Sequence, residues 1–159
     1  MATVEVTFTP LPAHVRTARL VATAVARRSG VDEALLDEVR LAVGEACSRA
    51  VEAHRRHCPA EPVKIEMTDL GERFVVVVSD AAPTVPGSAA VGANGQSIGG
   101  AADVPAEGVH SKENGGTAIP SGFGLAVISG LADDVHVSST SSGVSVRMSW
   151  PSAAAGLAG

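Results

Sequence analysis

The sequence predicts an α/β fold, a two-layer sandwich in which helices cover one face of a mostly antiparallel sheet. Three observations predict it. Most candidate strands alternate apolar and polar residues, so the sheet has one face for a core and one for water. Two long stretches near the start carry an apolar stripe at helical spacing. The elements run strand, helix, helix, strand, strand, long loop, helix, strand, strand, and helices gathered on one face of such a sheet make two layers.

Val4, Val6 and Phe8 alternate with Glu5 and Thr7, the pattern of a half-buried strand. Pro10 and Pro12 end it, and Pro12 suits the first turn of a helix, where its missing N–H is not needed. Val15, Ala18, Ala22 and Val25 share one face of that helix, and Gly30 stops it. Asp32 is an N-cap for a second, longer helix over about 33–56. On it Leu36, Val43, Cys47 and Ala50 form an apolar stripe. Glu38, Glu45, Arg49 and Glu52 repeat that spacing on nearly the opposite side. Pro59 and Pro62 close the helix.

Val63, Ile65 and Met67 alternate with Lys64 and Glu66 in a strand, which turns at Asp69-Leu70-Gly71 into Phe74–Val78. That continuous apolar run marks a central strand, paired with the previous one as a hairpin. Residues 81–121 differ in character, with eight Gly, four Pro and only four charged residues among 41. Such a stretch is either a functional lid or a disordered insertion. Gly122-Phe123-Gly124 opens a short helix to about Ala132, followed by a strand at 135–139 and a turn at Ser141-Ser142-Gly143. Val144, Val146 and Met148 alternate with Ser145, Arg147 and Ser149 in the last strand, and the tail after it is expected to fray.

Composition excludes several functions. The 159 residues are 45% hydrophobic, too apolar for a disordered acidic chain. Three Phe, one Trp and no Tyr leave little to stack a bare base on. A net charge of -5 disfavours nucleic-acid and membrane-surface binding. The two cysteines cannot build a disulfide framework and read as reduced thiols of a cytoplasmic protein. The first residues show no signal-peptide pattern, and the longest apolar run is too short to span a bilayer.

Three segments carry candidate chemistry. Gly122 and Gly124 at a helix start let the backbone approach a phosphate, which free N–H groups and the helix dipole favour. Asp80, at the end of the central strand, is a turn residue or an acceptor for an adenine amino group. Glu45 is a general base or a surface carboxylate paired with Arg49 four residues on. A fourth group, His54, His57 and Cys58, has metal-ligand character. It lacks a further ligand, and cations at a helix C-terminus also suit the dipole.

In order and separation these segments resemble the Bergerat-type ATP-binding fold, and within it the anti-sigma-factor serine kinases of bacterial partner-switching systems. Asp37 to Val51 is similar to that family's N box, the strand ending at Asp80 to its first glycine box, and Gly122 to Asp133 to its second. The resemblance runs over about residues 3–150 and implies one domain over 1–150 with a flexible lid at about 81–121, which leaves residues 151–159 as the tail expected to fray. It implies binding of a sigma factor and of an anti-sigma antagonist, sometimes as a homodimer, and phosphorylation of the antagonist on serine with ATP and magnesium where members are active. Glu45 would be the base, Asp80 would hold the adenine, and Gly122 and Gly124 would lie at the phosphates. The pattern is broken at two places. Arg49 stands where the family has its magnesium-coordinating Asn, and a guanidinium cannot coordinate a cation. Ala82 and Thr84 stand where glycines let the backbone come close to the nucleotide. The expectation is an anti-sigma regulator with weak or lost ATP use, Arg49 either blocking Glu45 or contacting a phosphate directly. The alternative is an active serine kinase. Arg16 and Arg19 on the first helix are the expected partner-docking patch.

Overall fold

The computed structural model describes residues 2–82 and 121–153, with backbone alone for 121–125. The expected lid falls on residues 83–120 for the most part and lies outside the described residues. The elements are β1 (Ala2–Phe8), α1 (Pro12–Arg28), α2 (Leu36–His57), β2 (Val63–Asp69), β3 (Arg73–Ser79), α3 (Ser121–Leu131), β4 (Asp134–Thr140) and β5 (Gly143–Pro151). The strands form one sheet in the order β1-β2-β3-β5-β4, every neighbouring pair antiparallel. The continuous apolar run is the third of five strands, as expected.

Register builds the core face. Val6, Ile65, Val78, Val146 and Val137 lie side by side across all five strands, and Met67, Val76, Met148 and Val135 make the next row. A period of two forces these residues onto one face, and a one-residue slip would turn them all to water. The outer face carries pairs such as Thr3 with Thr68 and Lys64 with Glu5 and Glu66.

Both long helices are bounded by local chemistry. Pro12 starts α1, and the helix ends in a double backbone lock, Gly30 N–H to the Arg27 carbonyl and Val31 N–H to the Ala26 carbonyl. That lock needs a positive φ, which Gly30 supplies at 84°. Asp32 does cap, accepting from the Ala34 N–H at 2.8 Å, but the first turn it caps is a 3-10 turn, Glu33–Leu35, before α2 begins.

α2 lies between α1 and α3 on the sheet. Val39, Ala42, Val43, Ala46, Cys47 and Ala50 are all fully buried. The small residues let neighbouring backbones close in, so the buried arc is wider than the single expected stripe. Trp150 fills the core and donates from Nε1 to the Leu131 carbonyl at 3.0 Å, pinning the end of α3 to β5. The chain stays tied down past the expected start of the tail. β5 includes Pro151, Ser152 N–H donates to the Glu72 carbonyl, and Ala153 N–H donates to the Gly30 carbonyl.

Candidate functional site

The site is built where α2, the end of β3 and the start of β5 meet. β3 leaves the sheet at Ser79, and Asp80 N–H donates to the Val144 carbonyl at 2.9 Å, extending the ladder by one bond. The Asp80 side chain then folds back inside. Oδ1 accepts from the Ala82 N–H at 3.1 Å and the Val144 N–H at 3.2 Å, and Oδ2 accepts from Arg49 Nη1 at 2.8 Å. The Asp80 side chain is 1% exposed and that of Arg49 19%. A buried carboxylate is stable as an anion only when its oxygens are bonded and its charge is matched, and here both conditions hold.

Gly143 lets this happen. Its φ is +149°, and the Cβ of any other residue would fall on the Asp80 carbonyl oxygen. Ala82 is buried, and its N–H closes a two-residue turn on Asp80.

One of the two expectations for Arg49, the pairing with Glu45, is overturned. Arg49 does not pair with Glu45. Its partner is Asp80, 31 residues away. Coulomb attraction grows as solvent is excluded, so the buried carboxylate outcompetes the half-buried Glu45 one turn back on the same helix. Glu45 makes no ion pair among the described residues. Gly122 and Gly124 fall in the first turn of α3, where a helix start was expected.

His54 was read as one member of a metal-ligand cluster. It is instead fully buried, with both ring nitrogens on main-chain partners, the Glu61 carbonyl and the Ala81 N–H, each at 2.8 Å. No group of three or more His, Cys, Asp or Glu that could hold a metal occurs among the described residues. The signal for burial was present in the sequence, since His54 continues the stripe of Leu36, Val43, Cys47 and Ala50 by one more turn.

The expected docking patch borders a groove. Between α1 and α2 lies a cavity of about 300 Å³ whose walls include Arg16, Arg19, Ser48, Glu52 and Arg55. Arg19 crosses over α2 at Gly44, where any Cβ would collide with its guanidinium. Its Nε is buried without a partner. Glu52 is taken by Arg56 at 2.9 Å, so the groove is net positive in an acidic protein. Beneath it Cys47 is buried, which pushes its thiol up to about 12, with the Arg19 charge pulling the other way. Cys58 is shifted up more modestly, first by burial and then by Glu61 and Asp80.

The fold defines a class. Residues 8–150 match the histidine kinase-like ATPase domain, and the chain belongs to that family. No curated protein sequence matches it. Among solved structures it is similar to the RsbU and RsbW domains of Rv1364c from Mycobacterium tuberculosis, with a TM-score of 0.58 and 15% identity. That alignment covers 96% of this chain and 34% of the other, so the present chain spans about a third of the length of that solved chain. No helix among the described residues is long and apolar enough to cross a membrane.

Proposed function

We propose that this protein is an anti-sigma regulatory protein of a partner-switching system. It sequesters a sigma factor in the cytoplasm, is released by an anti-sigma antagonist, and has weak or lost nucleotide binding. The likeness to a structure containing an RsbW domain supports the partner-switching part. The Arg49–Asp80 pair carries the rest. Asp80 is the residue that the family resemblance assigns to adenine, and its oxygens are already occupied by Arg49, Ala82 and Val144. Arg49 also puts a positive charge at the position assigned to a magnesium ligand. These residues fit a magnesium nucleotide poorly. Regulation then rests on competition between partners for one surface, and Arg16 and Arg19 beside the α1–α2 groove are the proposed contacts.

A second reading, an active serine kinase acting on the antagonist, is favoured by Glu45, which remains half-buried and without an ion pair among the described residues. Phosphotransfer assays with a serine-containing antagonist separate the two. The proposed reading expects no magnesium-dependent transfer. Transfer that disappears in Glu45→Ala would establish the kinase instead.

A further inference from the structure

His54 has no exposed surface, sits in the last turn of α2, and plays no part in the reading above. The Ala81 N–H donates to its Nε2 at 2.8 Å. An amide N–H can only donate, so Nε2 carries no proton and the neutral ring keeps its proton on Nδ1. Nδ1 in turn donates to the Glu61 carbonyl at 2.8 Å. One imidazole therefore clamps three segments: the end of α2, the loop before β2, and the first residue after Asp80. Only one protonation state and one tautomer satisfy all three.

A second proton would go on Nε2 and meet the Ala81 N–H donor to donor, leaving two buried donors without acceptors. Among the described residues, the ionisable groups that adjoin the ring's partners are Glu61 itself, Cys58, which Glu61 and Asp80 both influence, Asp80 beside Ala81, and Arg49 paired with Asp80. Ala81 adjoins both Asp80 and Ala82, whose N–H holds Asp80 Oδ1. Freeing Ala81 therefore loosens the turn that presents Asp80 to Arg49.

We propose that His54 is a proton-sensitive latch on the Arg49–Asp80 site: the neutral ring holds Ala81 and keeps the site closed, and the protonated ring lets it open. The latch operates whether or not any nucleotide or partner binds.

Amide hydrogen exchange on the full chain tests it, read between about pH 7.5 and 5.5, an interval that brackets the ordinary histidine value, and corrected for the intrinsic pH dependence of exchange. Protection of the Ala81, Ala82 and Val144 amides should fall about tenfold across it, as expected for one proton taken up over one pH unit. The Val76 and Met148 amides in the sheet should hold. His54→Gln keeps an acceptor for Ala81 but does not titrate, and should abolish the change, while exposed His57→Gln should retain it. If His54→Gln does not fold, His54→Asn, whose amide oxygen also accepts a hydrogen bond and does not titrate, takes its place. Unchanged protection of the three amides, an equal fall in the non-titrating variant, or a fall shared by the sheet amides would overturn the latch.

Discussion

Arg49 Nη1 donates to Asp80 Oδ2 at 2.8 Å, and the pair closes over a carboxylate that is 1% exposed. Removing one member of a buried pair strands the other, at a typical cost of about 3–5 kcal/mol. Two backbone N–H groups still serve Asp80 in Arg49→Asn, so a smaller loss of roughly 2–3 kcal/mol is expected. Urea unfolding should show a lower midpoint with an unchanged slope. The same variant should bind ATP more tightly than the wild type, with greater dependence on magnesium. An Arg49→Asn protein as stable as the wild type would mean that the pair is decorative.

Gly143 is expected to be intolerant of any side chain. Gly143→Ala combines a backbone conformation that L residues rarely adopt with a collision on the Asp80 carbonyl. A loss of roughly 2 kcal/mol or more is expected. Gly71, whose φ is 89° but which has open space around it, should lose only the conformational part, about 1 kcal/mol. The comparison of the two thermal midpoints isolates the contact with Asp80.

Gly44 offers a different separation. In Gly44→Ala the atoms nearest the new Cβ all belong to the Arg19 side chain, which must be displaced, while alanine gains about 1 kcal/mol of helix propensity. Stability should hold or fall only slightly, while affinity for the proposed sigma-factor and antagonist partners falls with the displaced Arg19. Unchanged affinity, measured by calorimetry with each partner, would remove the α1–α2 groove as the docking surface.

Cys47 sets an alkaline limit. Its thiol is raised from 9.0 to about 12 in the folded state, so between those values the unfolded chain releases a proton that the folded chain keeps. Stability then falls as pH rises through this window, by about 1.4 kcal/mol per unit at most for this one group. Chemical denaturation at pH 8 and pH 10.5 should show a steeper loss for the wild type than for Cys47→Ala. The native Cys47 thiol should also resist alkylation that modifies Cys58.

Much of the fold is legible in the sequence. The alternation in β1, β2, β4 and β5, the apolar run of β3 and the Gly30 stop are local signals, and local periodicity decides which face each residue takes. The site is less legible because its bonds are tertiary. Arg49 and Glu45 stand at i and i+4, and helix geometry alone suggests that they pair. Only the return of β3 beneath α2 brings Asp80 to Arg49. His54 sat on the buried stripe yet resembled a ligand because His57 and Cys58 follow it closely. Its real partners are main-chain groups of Glu61 and Ala81, which side-chain motifs do not reveal.

Titration calorimetry of the wild-type protein with ATP, with and without magnesium, tests the central claim most directly. An Asp80 already satisfied by Arg49, Ala82 and Val144 predicts binding that is weak or undetectable, with little change when magnesium is added. Tight, magnesium-dependent binding of ATP would contradict it.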